Sequence, residues 1–157
     1  MFQPDLLKGK RILVTGGGTG LGRSMTQRYL ELGANVVICG RREDVLKETA
    51  AELAKETGGE IETVTCDVRV PDAVEAMMDT IWAKCPLDIL VNNAAGQILA
   101  QTHKMSSRAI DAVLGIVLYG SAYCTVAAGR CGGVALAGSA PSMAAWRWRC
   151  TTAARAS

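Results

Sequence analysis

Residues 11–22 read RILVTGGGTGLG: the apolar run Arg11 to Thr15 leads straight into Gly16-Gly17-Gly18-Thr19-Gly20-Leu21-Gly22. A short aliphatic run followed by glycines and then a helical segment is a strand, a tight turn and a helix. Gly16 can take the sharp exit from the strand, Gly20 lets backbone come close to a bound group, and Gly22 lets the helix pack against the sheet. The first turn of that helix carries free N–H groups and the positive end of the helix dipole, so the group it suits is a phosphate or pyrophosphate. The same glycine spacing also occurs in flexible loops. The strand before it and the helix after it favour the phosphate-binding turn.

The pattern continues outward from this turn. Asn35 to Cys39 (NVVIC), Ile61 to Thr65 (IETVT) and Asp88 to Asn92 (DILVN) are short runs rich in β-branched residues and read as strands. Between them, Glu43 to Thr57 places Leu46, Ala50 and Leu53 on one helical face and stops at Gly58-Gly59. Val74, Met77, Met78, Ile81 and Trp82 form a second helical stripe, with Pro71 in the first turn of that helix. Strand, helix and strand in repeated alternation predict an α/β protein, a doubly wound parallel sheet with helices on both faces and right-handed crossovers.

Composition bounds the partners. The chain has 157 residues, 49% hydrophobic and 20% charged, with a net charge of +2, which is one domain in size with no field to draw nucleic acid or a membrane. A small molecule is the expected ligand. Met1 to Lys10 holds Pro4, Asp5 and two lysines instead of an export signal, which predicts a cytoplasmic protein. The six cysteines form no CxxC pair and His103 is the only histidine, so they read as reduced packing thiols, with no metal site. Ala112 to Gly129 runs 18 residues without a charge, but Gly115, Gly120, Ser121 and Thr125 dilute it. It reads as a helix buried on most faces of the domain, not a membrane span.

Gly40-Arg41-Arg42 follows the second strand, where an acid would bind a ribose 2′-hydroxyl. A guanidinium there suits a 2′-phosphate and points to NADP. The other reading makes Arg41 and Arg42 surface charges ahead of the helix that begins Glu43-Asp44.

Taken together, these residues resemble the short-chain dehydrogenase/reductase family, whose TGxxxGxG pattern matches Thr15 to Gly22. Asp67-Val68 and Asn92-Asn93-Ala94-Ala95-Gly96 match further family motifs in order. Within the family the likeness is to 2,4-dienoyl-CoA reductases, through GGGTGLG, Cys66 to Arg69, Asn92 to Gly96 and Ile116 to Gly120. Val117 stands where ordinary members carry a catalytic Asn, a substitution shared with the mitochondrial type. The resemblance implies a Rossmann-like fold and NADPH-dependent reduction of a 2,4-dienoyl-CoA in fatty-acid β-oxidation. It also implies a homo-oligomer, often a tetramer, formed through the helix at Arg108 to Gly129.

Carried over by position, the resemblance puts Gly16, Gly18, Thr19, Gly20, Leu21, Gly22, Arg41, Asp67, Val68, Asn93, Ala94 and Gly96 at NADP. Arg69, Ile98 and Ser106 fall at the acyl-CoA substrate. Ser106 reads equally as a helix cap, and Ile98 as plain core. The resemblance runs from about Lys10 to Gly129. Residues 130–157 hold no Lys, Asp or Glu, and offer only Gly133 to Ala137 as a strand, so they read as an atypical tail and the sheet as incomplete at its C-terminal side.

The family's proton donor, a Tyr assisted by a Lys four residues on, has no counterpart: the last tyrosine is Tyr123, the last lysine Lys104, and no YxxxK occurs. No catalytic residue is therefore assigned, and Ser139 reads as a loop residue. A shifted reading frame near Arg130 is the expectation that accounts for the tail. An inactive NADP-binding remnant and a 3-ketoacyl reductase are the alternative functions.

Overall fold

Alternation of side chains decides how the sheet is covered. In the computed structural model, which describes residue 3 and residues 5–130, β1 (Arg11–Thr15), β2 (Asn35–Gly40), β3 (Ile61–Thr65) and β4 (Ile89–Val91) form one parallel sheet in the order β3-β2-β1-β4. The register sets Val14 beside Ile38 on one side and Val91 on the other. Ile12, Val14, Val36 and Ile38 meet Leu30 of α1 (Gly20–Glu31) and Leu46 and Leu53 of α2 (Glu43–Thr57). Leu13, Val37 and Cys39 point the other way, onto Val74, Met77, Met78 and Ile81 of α3 (Pro71–Lys84) and Cys124, Ala127 and Ala128 of α5 (Ser121–Arg130). Both faces are covered, as a parallel sheet requires.

The chain passes from β1 to β2 to β3 and then returns to the far side of β1 for β4. The reversal leaves a crevice at the carboxyl ends of the strands, the usual ligand position in such sheets. Gly58 ends α2 in the left-handed region at φ 69°, as its place after Thr57 predicts.

The opposite end of the sheet is closed by a buried charge. The Arg11 guanidinium donates to the carbonyls of Ile81, at 2.8 Å, and Cys85 at the end of α3, and to Glu62 Oε1 at 2.9 Å. Lys84 Nζ approaches the other Glu62 oxygen at 2.8 Å. The terminal carbonyls of a helix need donors, and a cation there also suits the dipole.

Three expectations need correction. Thr49, not Ala50, is the buried member of the α2 stripe with Leu46 and Leu53. β4 is shorter than Asp88 to Asn92, because the Asp88 carboxylate takes Lys10 Nζ and the Arg11 N–H while Asn92 reaches Thr125 Oγ1 at 3.1 Å. The uncharged helix is not buried on most faces. It runs through α4 (Ser107–Leu114), a π turn (Gly115–Gly120) and α5, burying Gly120, Cys124, Ala127 and Ala128 while Ile110, Leu114, Val117, Leu118, Tyr119 and Val126 stay exposed.

Small residues line its inner face, so one side packs closely and the other stays open. Length and apolarity alone would let Ser107–Arg130 cross a membrane, but its inner side is seated on α3. Gly133 to Ala137 and Ser139 lie outside the described residues.

Candidate nucleotide-binding site

The turn after β1 is held from behind. Thr15 Oγ1 accepts the backbone N–H groups of Asn93 and Ala94, both at 3.0 Å, and Asn93 Nδ2 donates to the Thr15 carbonyl at 2.9 Å and the Gly16 carbonyl at 3.3 Å. The Asn93 amide is thus engaged by the turn it supports. Gly16 turns at φ 68°, and its N–H donates to the Cys39 carbonyl at 2.8 Å. A Cβ on Gly22 would overlap the Gly16 carbonyl oxygen and lie 2.6 Å from Asn93 Nδ2. Only glycine brings α1 this close to the turn. Gly20, at φ 53°, faces open space instead.

The start of α1 is left free for an anion. Thr19 occupies the cap position without a side-chain hydrogen bond, the first turn holds no acid, and the Leu21 side chain is exposed. Such an N-terminus keeps its orphan N–H groups and its positive dipole end available.

Beside it opens a cleft of about 310 Å³ lined by Gly16, Gly18, Thr19, Cys39, Gly40, Arg41, Arg42, Val45, Leu46, Cys66, Asp67, Val68, Ala94, Ala95 and Ile116. Seven of the residues placed at the cofactor by sequence share this wall: Gly16, Gly18, Thr19, Arg41, Asp67, Val68 and Ala94. Gly20, Leu21, Gly22, Asn93 and Gly96 do not form it. Gly96 acts by its size, because a Cβ there would lie 2.9 Å from Ile116 Cδ1.

Charge in the cleft is arranged in layers. The Asp67 carboxylate receives Arg69 Nε at 2.9 Å and Nη2 at 2.5 Å, and Arg41 adds its field, so hydrogen bonding to Arg69 first and charge second hold its pKa below the usual carboxylate range. Neither Arg41 nor Arg42 forms a hydrogen bond or ion pair with Glu43 or Asp44 among the described residues; Glu43 pairs with Lys47 instead. Both arginines are exposed, which fits their reading as surface charges as well as a place at the cleft. Burial pushes the Cys66 thiol up to about 11, and Cys39 is pushed higher still.

The residues placed at the acyl-CoA are not joined to one another by hydrogen bonds or ion pairs among the described residues. Arg69 is clipped to Asp67. Ser106 Oγ accepts the Ala109 N–H at 3.2 Å, the helix-cap arrangement, at the start of α4. Ile98 is 41% exposed, which overturns its reading as plain core. Thr49 was missed by sequence: its buried hydroxyl donates to the Gly18 carbonyl at 2.8 Å and ties α2 to the turn. Its signal was a hydroxyl three residues after Leu46, on an otherwise apolar stripe.

The profile of the short chain dehydrogenases matches residues 10–131, well over half the chain. The chain belongs to the short chain dehydrogenase family. Among curated relatives of this family, the Caenorhabditis elegans probable 2,4-dienoyl-CoA reductase 3 is 41% identical over 133 residues, 83% of this chain and 43% of that protein. The chain spans less than half the length of the first-matched relatives.

Two solved structures share the short chain dehydrogenase architecture. Citronellol catabolism dehydrogenase of Pseudomonas aeruginosa PAO1 superposes with a TM-score of 0.78 at 33% identity, covering 83% of this chain and 53% of its own. An actinorhodin polyketide ketoreductase variant solved with NADPH gives 0.74 at 31% identity, covering 78% and 47%. The fold class expected from sequence, a Rossmann-like doubly wound parallel sheet that is incomplete, therefore stands: the chain covers 53% of the length of each of two solved short chain dehydrogenases.

Proposed function

We infer that residues 1–129 form the NADP-binding part of a reductase acting on 2,4-dienoyl-CoA thioesters. The observation that carries the cofactor choice is Arg41 and Arg42 on the cleft wall directly after Gly40, with no acid at the end of β2. An acid there would select NAD, and guanidinium groups favour a 2′-phosphate. The likeness to the nematode reductase supports the substrate class, and the ketoreductase solved with NADPH supports the cofactor class.

In this reading the Gly16 to Gly22 turn and the start of α1 hold a pyrophosphate, Arg41 the 2′-phosphate and Asp67 the adenine. Thr15 and Asn93 keep the turn in shape, and Val68, Ala94 and Gly96 shape the cavity. The bound cofactor supplies a hydride. Arg69, Ile98 and Ser106 are assigned to the acyl-CoA, and Arg69 answers its anionic charge. The exposed stripe of Ile110, Leu114, Val117 and Leu118 supports a homo-oligomer that buries it.

Protonation of the reduced substrate needs a donor, and the 157 residues hold no tyrosine with a lysine four positions on. That observation favours a second reading, a chain that binds NADPH without turning it over. A 3-ketoacyl reductase is disfavoured by Val117, where it would want an Asn.

Fluorescence titration of the full chain with NADPH and NADH tests the reading. We expect NADPH to bind more tightly, with the preference lost in Arg41→Asp and all binding lost in Gly20→Val. Equal affinity for both cofactors, or no binding, would sink it. Steady NADPH oxidation on adding a dienoyl-CoA would reject the non-catalytic reading and favour the first.

A further inference from the structure

We propose that Thr49 of α2 is a positioning residue for the phosphate-binding turn: its hydroxyl fixes the peptide between Gly18 and Thr19 so that the Thr19 N–H is held as a donor for the pyrophosphate. The inference rests on the dinucleotide reading above. Hydroxyls inside helices often close back on the carbonyl four residues earlier. Thr57, Thr80 and Thr125 do so here, onto Leu53, Ala76 and Ser121 at 2.8, 2.9 and 2.7 Å. Thr49 instead reaches out of its own helix and donates to the Gly18 carbonyl, 31 positions away, at 2.8 Å. It does so from the buried stripe of α2, between Leu46 and Leu53, with 5% of the residue exposed.

The carbonyl it holds belongs to the cleft wall. Gly18 and Thr19 both line the cleft, and Gly18 packs so closely on α2 that a Cβ there would lie 3.2 Å from Leu46 Cδ2 and 3.5 Å from Val45 Cγ1. In a planar trans peptide the C=O and N–H point in opposite directions. A Gly18 oxygen drawn onto Thr49 therefore turns the Thr19 N–H away from the α2 stripe. That N–H donates to no group among the described residues, whereas the Thr19 carbonyl accepts the Arg23 N–H at 3.2 Å. Glycine at position 18 has no side chain to restrain this peptide, and its rotation would bring a carbonyl oxygen toward the anion in place of a donor. Valine at position 49 would keep the branched shape but donate nothing. The hydroxyl acts on the turn, which meets the part common to NADPH and NADH, and not on Arg41.

Fluorescence titration with NADPH and with NADH, on the full chain and its T49V and T49S variants, tests this, with the Tm of each recorded. Loss of one hydrogen bond to a charged group predicts that T49V binds both cofactors about tenfold more weakly, by the same factor, so that the preference between them is unchanged. T49S, which keeps the hydroxyl, should bind as the wild type does. A role confined to packing would lower the Tm of T49V and leave the affinity of the folded chain as it was. That result, or a T49S as weak as T49V, overturns this inference and leaves the dinucleotide reading standing. So does a T49V that loses affinity for NADPH alone, which would place the effect at Arg41. If T49V fails to fold, amide NMR of the wild type decides: the Thr19 N–H should shift downfield when NADPH is added, and an unmoved signal overturns the inference. A wild type that binds neither cofactor overturns both readings.

Discussion

Replacing Gly22 and Gly20 by alanine adds the same methyl group two residues apart and should have opposite causes and unequal costs. At Gly22 the new Cβ would overlap the Gly16 carbonyl oxygen and lie 2.6 Å from Asn93 Nδ2 and 2.9 Å from the Gly16 carbonyl carbon. Nothing there is the free end of a flexible side chain, since Asn93 Nδ2 is itself tied to the Thr15 and Gly16 carbonyls. Relief requires moving α1 away from the turn. Overpacking of this kind costs about 1–3 kcal/mol, loss of the Asn93 contacts about 1 kcal/mol more, and the helix preference of alanine returns about 1 kcal/mol.

The net loss for Gly22→Ala is then roughly 1–3 kcal/mol. At Gly20 a Cβ meets nothing within 4 Å, and the only cost is the left-handed backbone at φ 53°. That costs about 1–2 kcal/mol, offset by about 0.4–1 kcal/mol from the stiffer unfolded chain. Urea unfolding of the full chain followed by circular dichroism measures both, and each kcal/mol corresponds to about 3 °C in Tm for a chain of this size. We expect Gly22→Ala to lose more. A Gly22→Ala protein as stable as Gly20→Ala would refute the claim that α1 is pressed against the turn.

Three more outcomes follow from the buried polar groups. Arg11→Met should destabilise the chain by about 3 kcal/mol, because it removes the buried guanidinium from the Ile81 and Cys85 carbonyls and leaves Glu62 with Lys84; a loss below about 1 kcal/mol in urea unfolding would argue against it. Stability should also fall in acid. Burial raises the Glu62 carboxyl, but hydrogen bonds from Lys84 and Arg11 outweigh it, and Arg69 lowers Asp67, so both folded pKa values lie below the unfolded ones. Carboxyls of this kind contribute fully above about pH 4–5, the unfolded range, and the contribution is lost as pH drops through the folded values; a flat Tm between pH 5 and 3 would contradict this. Burial raises Cys66 and Cys124 to about 11, so thiol-alkylation mapping at pH 7.5 should find both, with Cys39, unmodified until the chain is unfolded.

The sheet and the turn were legible because their signals are local. Ile12, Leu13 and Val14 announce a strand buried on both faces, and the glycine spacing after Thr15 allows few backbone paths. The positions of the first four strands follow from their β-branched runs, the end of α2 from Gly58 and the start of α3 from Pro71. What sequence hid depends on pairings distant along the chain. Arg11 looks like an ordinary charge at a strand end until Glu62, Ile81 and Cys85 are brought around it. Asn93 looks like a ligand contact until its amide is found on the Thr15 and Gly16 carbonyls. Burial of the α4 to α5 helix was misjudged because apolar composition does not say which face meets a neighbour: Leu114 and Leu118 are as hydrophobic as any core residue and remain exposed.

The two ends of the sheet divide the work between stability and binding. At the amino end, Arg11, Glu62 and Lys84, and beside them Asp88 and Lys10, satisfy one another and the end of α3. At the carboxyl end the hydrogen-bonding groups of Thr15, Asn93 and Thr49 are turned inward to lock the loop backbone. The charged groups left at the cavity are few and mostly positive: Arg41, Arg42 and the uncapped start of α1, with Asp67 held by Arg69. A phosphate-bearing ligand matches the positive part of that remainder. Because the locking groups do not touch the cavity, a change at Arg41 should alter selectivity with little effect on folding, whereas a change at Thr15 should alter folding before selectivity.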